Sequence, residues 1–414
     1  MKLRRRYLFY TLAFASSIIA AGVSAIDTII NSLYIQNPWA FSFSCFLVGI
    51  VITIILMIIF SIPLKNKKSI GSKIIDPSFD RIRLIKKYEI KYHIIAGLGN
   101  SILTIGYITL ISLFNDPSTV LPFTQIVILY LIIIESIIEK DTPTIIEIQS
   151  AIIVTFGAIL GSISLTGGIN LLSLIIVFLV VNPAWVLLSV YQRKLKLLKI
   201  NEKPNDSLNI RFWNVIFACI FTGIIIFVYD RIIGGGNLLE GIRVSIEYFN
   251  WLALTMGITF FSYVFYIRAL GIGKASVTQA VRATIVIFVI PFSLILSYYD
   301  IIPPFTTDPT MILLKIIGTI LVILGIITFA ISLFKAYVFI NVKPGYNIEE
   351  TMNKLWNIRG VTRVTAVAGK YDFMIKIRIR TLIKGYEKII KKIEEIEAID
   401  KYKWFSVLKE WEEI

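Results

Sequence analysis

The sequence predicts an α-helical polytopic membrane protein of ten transmembrane helices that ends in a small α+β domain. Three observations lead there. Of the 414 residues 56% are hydrophobic, and they gather into blocks long enough to cross a hydrocarbon core of about 30 Å. The blocks fall into two sets of five with a common layout. Beyond residue 335 the period changes. In "YDFMIKIRI" Phe373, Ile375, Ile377 and Ile379 alternate with Lys376, Arg378 and Arg380, as in a half-wet β-strand.

Taken in order, the spanning blocks lie at 7–30, 39–63, 92–114, 118–138 and 145–165, then at 170–191, 210–231, 249–270, 276–298 and 311–334. The amino terminus, "MKLRRRYLFYTLAFASSIIAAGVSA", has the basic start and the Val23-Ser24-Ala25 end of a signal peptide. Its apolar stretch is long and runs straight into more membrane, so an uncleaved first helix is expected. The formal charge of +15 comes largely from Lys and Arg in the loops between blocks, which reports orientation rather than a nucleic-acid partner. "KLRRR", the stretch from Lys65 to Lys91, Lys140, the stretch from Arg193 to Arg211, Arg268 and Lys274 fall on one side. Arg231 and Arg243 fall on the other. The positive-inside rule then puts both termini in the cytoplasm of a cell-membrane protein, with the lipid bilayer as its first partner.

Several function classes are excluded. Cys45 and Cys219 sit in separate apolar blocks, with no disulfide framework or zinc spacing. His93 is the single histidine, which rules out a histidine triad or a histidine metal cluster within the chain. No Gly-Lys-Ser/Thr loop is encoded, and "GLGNSILTIG" lies in an apolar helix without a preceding strand. An enzyme is not expected, nor a cofactor, a metal or nucleic acid.

The two sets of blocks read as repeats, about 7–165 and 170–334. Residues 92–165 and 249–334 share helix, polar turn, helix, short loop, helix, with Ser150 and Gly157 in one closing helix and Gly318 and Gly325 in the other. Small residues at that spacing let helices pack closely. An odd number of helices per half also requires the halves to insert in opposite senses, the design of many secondary transporters. Residues 7–334 resemble the drug/metabolite transporter superfamily, EamA type. The first half carries Pro122, an apolar helix closed by Glu135, and Gly157, in "LPFTQIVILYLIIIESIIEKDTPTIIEIQSAIIVTFGAIL". "IRALGIGKASVTQAV", "IGTILVILG" and "WVLLSVYQRKL" are similar to the family's second half. The second half departs from the pattern in lacking a closing glutamate, Asp300 being the nearest acid, and no arginine stands in the second helix.

An ionisable residue deep in a bilayer costs at least a few kcal/mol and marks a candidate site. Arg282 lies about 10 Å along its helix from the turn at Lys274, at 1.5 Å per residue. Ser276, Gln279 and Arg282, spaced by three, form one polar stripe. Arg282 suits either a substrate carboxylate or phosphate, or a structural ion pair with Glu135. Asn100, Gln125 and Asn182 are candidates for the same transport cavity or for packing hydrogen bonds. Asp27 reads as an interfacial carboxylate, and Trp185 and Tyr263 as packing or belt aromatics.

Residues 336–414 alternate strand and helix periods in the order βαββαβ, a ferredoxin-like sandwich with two helices on one face of a sheet. The other face carries aromatics and should pack on a partner, its twin in a homodimer. "VFINVKPGYNIEETMNKLWNIRGVTRVTAVAGKYDFMIKIRI" closely resembles the ligand-binding module of the Lrp/AsnC regulators. Val367, Gly369, Tyr371 and Asp372 occupy that family's Val-x-Gly-x-Tyr-Asp segment. The resemblance implies paired modules and an amino-acid-like effector near this turn, at Gly369, Tyr371 and Asp372. Glycine permits the turn, turn N–H groups can meet a carboxylate, and Asp372 can accept from an ammonium or simply cap the turn. Two functions follow. One is a secondary transporter of small polar metabolites such as amino acids, regulated by its tail. The other is a membrane-anchored sensor that no longer transports and signals to a partner protein.

Overall fold

The computed structural model describes residues 5–64, 68–138, 145–161, 175–200, 202–302, 309–331, 334–358, 360–379 and 384–406. They form two compact units, Met1–Leu131 with Ile152–Ile326, and Ile132–Ala151 with Ile327–Ile414.

The first unit is helical because its apolar runs leave the backbone polar groups no partner but the helix itself. In order the chain forms α1 (Arg5–Leu33), α2 (Pro38–Ser61), the short α3 (Ile70–Ile74), α4 (Lys87–Phe114), α5 (Pro117–Thr124), α6 (Val127–Ile138) and α7 (Ile145–Gly161). A π turn, Ile176–Val181, leads into α8 (Asn182–Leu197). Then come α9 (Ser207–Ile233), α10 (Asn237–Glu247), α11 (Phe249–Leu270), α12 (Ala275–Arg282), α13 (Ile285–Tyr298) and α14 (Pro309–Ile331). Among the described residues, eight helices are long and apolar enough to cross a membrane. The fifth and tenth predicted blocks appear as shorter apolar helices, Ile148–Gly157 and Ile312–Gly325. The predicted end of the fifth block and start of the sixth fall outside the described residues. The amphipathic α10 was not expected; it carries exposed Leu239 and Ile246.

The fourth and ninth blocks each run through a tightened turn, with Ala283 (φ −60°, ψ −13°) and Thr284 (φ −56°, ψ −14°) keeping helical backbone angles. Around Gln125 and Ile126, and again around Ala283 and Thr284, the backbone turns to three-residue hydrogen bonds. Gln125 N–H donates to Pro122 O (3.0 Å), and Val286 N–H to Ala283 O (3.1 Å). At both turns a threonine hydroxyl stands against a carbonyl of the preceding turn, Thr124 Oγ1 at 2.6 Å from Leu121 O and Thr284 Oγ1 at 2.9 Å from Val281 O. At the π turn Pro183 has no N–H to give, and Phe178 O accepts from the Tyr130 hydroxyl at 3.0 Å, while Val177 O accepts from both the backbone N–H and Nδ2 of Asn182.

The contacts between helices come in corresponding pairs. α1 packs on α11 as α4 packs on α8. Likewise α2 lies on α11 as α9 lies on α4, and α1 on α13 as the π turn lies on α5. Glycines allow the closest approaches. A Cβ at Gly99 would stand 2.8 Å from Ala184 O, and one at Gly157 2.6 Å from Gly318 O, so any side chain there must push backbone away.

One end of this unit is tied by a buried polar cluster. Lys196 Nζ donates to Asp76 Oδ2 (2.6 Å) and to Asn205 O (2.6 Å), and Ser207 N–H and hydroxyl both donate to the same Asp76 oxygen. Beside it Arg83 grips Glu89 with two parallel bonds (2.7 and 2.8 Å) and also reaches Asn205 Oδ1. The segment between α2 and α4 is thereby fastened to the turn between α8 and α9.

The second unit holds a four-stranded sheet of β1 (Phe334–Val342), β2 (Val361–Ala366), β3 (Phe373–Ile379) and β4 (Ile399–Ser406), with α15 (Ile348–Trp356) and α16 (Lys384–Glu394) between strands. The sheet order is β2-β3-β1-β4 and every neighbour is antiparallel. Alternation decides the faces: Ala336, Val338, Ile340, Phe373, Ile375 and Ile377 are buried against Leu355 of α15 and Ile389 and Ile393 of α16. Asn347 starts α15 by accepting from the Glu349 and Glu350 N–H groups. The other face carries Tyr337 and Phe339 on β1 and Phe405 on β4, the last 42% exposed.

Candidate functional sites

Arg282 ends α12 at the tightened turn, 4% exposed inside the helical unit. Its Nε and Nη1 have no hydrogen-bond partner among the described residues. Aromatic rings surround it instead, with the guanidinium carbon 5.1 Å from the Trp185 centroid, 4.8 Å from that of Tyr266 and 5.8 Å from that of Tyr263. Glu135 is buried in the second unit. The tightened turn is pinned by α1: Ser17 Oγ donates to Arg282 O (3.0 Å) and receives from Thr284 Oγ1 (2.9 Å).

The stripe and the two tightened turns converge. Gln279 Nε2 donates to Gln125 Oε1 at 3.3 Å, so the fourth and ninth segments meet through the side chains at these turns. Gln279 Oε1 has no partner. Ser276 is buried in the first turn of α12. Asn100 Nδ2 donates to Asn214 Oδ1 (2.9 Å), which also faces Arg211 Nη1 at 3.5 Å. Arg211, 1% exposed, stacks on Tyr263 with 4.2 Å from its guanidinium carbon to the ring centroid, and its Nε is unpartnered. Asn182 belongs to its own π turn rather than to this cluster. Asp27 is 7% exposed and accepts from Thr255 Oγ1 at 2.6 Å, so it is a buried residue of the α1–α11 contact.

The sequence singled out Arg282, Gln279, Gln125 and Asn100 as candidates; the structure adds Arg211, Asn214 and Tyr266 to the buried polar groups around them. Arg211 was counted among the loop cations, although with Asn214 three residues on it makes a stripe like that of Gln279 and Arg282. An apolar groove of about 430 Å³ lies elsewhere, lined by Phe43, Ile50, Ile216, Cys219, Ile220 and neighbours. It offers no charged side chain and suits lipid chains better than a polar solute.

In the second unit the predicted effector turn joins β2 to β3. Gly369 has φ +139°, a conformation side chains disfavour. Val367 N–H donates to Asp372 O (2.9 Å) and Asp372 N–H to Ile340 O (3.0 Å). Asp372 Oδ2 accepts from the Val342 N–H at 2.7 Å, so the carboxylate caps the end of β1. The Tyr371 ring stands 5.2 Å from that of Phe339, on the aromatic face of the sheet.

Comparison with known proteins bears on the second unit most. Residues 335–413 match the family described as the Lrp/AsnC ligand binding domain. The EamA-type resemblance of residues 7–334 finds no such match. No curated protein matches the chain. A solved structure titled only "Crystal structure of protein" aligns at 12% identity over 77% of this chain and 95% of its own, with a TM-score of 0.46, too low to carry an argument. The chain thus joins a body of long apolar helices, consistent with a membrane protein, to a ligand-binding tail.

Proposed function

We propose that the chain is a secondary transporter of small polar metabolites, amino acids foremost, whose tail senses an amino-acid-like effector. The observation that carries this is Arg282, buried and short of hydrogen-bond partners at a tightened helix turn that meets a second one through Gln125. Paired, irregular helices around a polar site are how carriers bind solute near the bilayer midplane. The corresponding helix contacts support ten spanning segments as two inverted five-helix repeats. The loop cations support both termini in the cytoplasm. The strand order supports a ferredoxin-like tail, and its aromatic face a homodimer. Because β1 follows α14 within a few residues, an effector bound at Gly369, Tyr371 and Asp372 could bias the carrier, provided it binds two carrier states with different affinity.

The test is uptake of a labelled amino-acid panel into liposomes, by the full chain and by a chain ended after Phe334. Uptake of one or a few amino acids is expected, with its concentration dependence altered by the truncation. If neither chain moves any of them while the tail still binds one, the carrier reading falls and a membrane-anchored sensor replaces it.

A further inference from the structure

We infer that the transported solute carries two acidic groups, held by Arg282 and Arg211 together; this deepens the transport reading and rests on it. Both arginines are at least nine-tenths buried in apolar helices, and each has a guanidinium nitrogen without a partner. Both face the Tyr263 ring, at 5.8 and 4.2 Å from its centroid, so their guanidinium carbons stand no more than 10 Å apart, the sum of the two distances.

Two like charges this close in a poorly polarisable setting repel each other, and burial penalises each. A structural role would provide carboxylates. Among the described residues neither arginine forms a hydrogen bond with one, and Asp27 is engaged with Thr255, eight residues before Tyr263 on α11. Contact with a ring face compensates a buried cation only in part. What the pair lacks is two negative charges. A solute with one acidic group would neutralise one arginine and leave the other buried and unpaired, which is the costly case.

The distance bounds the size from above. With the guanidinium carbons no more than 10 Å apart, the two acidic groups must lie close together on a compact solute that approaches the pair from one side, so short dicarboxylic acids and acidic amino acids are the class to test. The Tyr263 ring offers such a solute an apolar face. Asn214 Nδ2, buried and unpartnered beside Arg211, supplies a further donor for the second acid group.

The experiment is uptake by the full chain in liposomes of labelled aspartate, glutamate and succinate, beside serine, leucine and lactate. The two-acid set is expected to enter and the one-acid set not. Arg211→Gln should raise the half-saturating concentration for the two-acid solutes by roughly 10- to 100-fold, and Arg211→Lys should recover part of it. The wild-type selectivity alone decides the matter if the Gln variant does not fold. Uptake of serine, leucine or lactate that is lost in Arg282→Gln but indifferent to Arg211→Gln would leave the carrier standing and overturn this inference. Uptake of nothing at all by a monodisperse chain would bring down the transport reading and this inference with it.

Discussion

Arg282→Gln is expected to cut uptake at low solute concentration by about a hundredfold or more while leaving effector binding by the tail unchanged. The size follows from the bond removed. A hydrogen bond to a charged group contributes about 1.5–3 kcal/mol, and two parallel ones from an arginine exceed the value of one. At about 1.4 kcal/mol per tenfold, the upper figure alone gives two decades. Glutamine keeps a polar side chain of similar reach at the start of the tightened turn, so the Ser17 bond to the residue 282 carbonyl survives. The fold should survive as well, because the native guanidinium is a buried charge with two nitrogens unserved. A loss of uptake with an unchanged melting temperature is the expected pair of readings. The kinetics are checked in liposomes and the tail by calorimetry on the same protein.

Asp76→Asn should lower stability by about 3–5 kcal/mol, the usual result of stripping one partner from a buried ion pair. Asp76 Oδ2 receives Lys196 Nζ and both donors of Ser207, and the amide would leave the Lys196 ammonium with Asn205 O alone. Removing both charges, as in Asp76→Asn with Lys196→Met, should restore much of the loss. Thermal unfolding in detergent measures both. The same cluster sets an acid limit. Burial pushes the Asp76 carboxyl up, but the Lys196 charge and the Lys196 and Ser207 hydrogen bonds outweigh it and bring the pKa from 3.8 down to about 2. A depressed carboxyl gives stability that is whole above the unfolded value and is lost as pH falls through the folded one. About 2 kcal/mol should therefore fade between pH 4 and pH 2. In Asp76→Asn that part of the acid sensitivity should be absent.

The sequence made the helical body legible because hydropathy reports a bilayer span directly, and the tail legible because its strands alternate on one face. Phe373, Ile375 and Ile377 lie buried in register as read. Other features hid for physical reasons. The tightened turns at Gln125 and at Ala283 and Thr284 are fixed by single backbone hydrogen bonds, which a hydropathy pattern does not report. Arg211 stood at the edge of its block, where a loop cation and a buried one look alike. Trp185 and Tyr263 read as packing aromatics, and only the fold showed them around a guanidinium. Asp27 counted out to a membrane face along its helix, and only the fold shows that α11 covers it through Thr255. Asp372 was open between an effector contact and a cap of its own turn; its carboxylate reaches instead across to the Val342 N–H at the end of β1, a long-range bond that no local pattern announces.

The central claim is that solute reaches the Gln125–Gln279–Arg282 site from both faces of the membrane, one at a time. The most direct measurement places a cysteine at position 279, in a chain with Cys45 and Cys219 changed to serine, and applies a membrane-impermeant maleimide from either face of a proteoliposome. Labelling of Gln279→Cys from both faces, slowed by whichever solute is taken up, is the result this account predicts. Labelling from neither face, in a protein that still folds and binds effector through its tail, would contradict it and leave a closed helical anchor for a sensor.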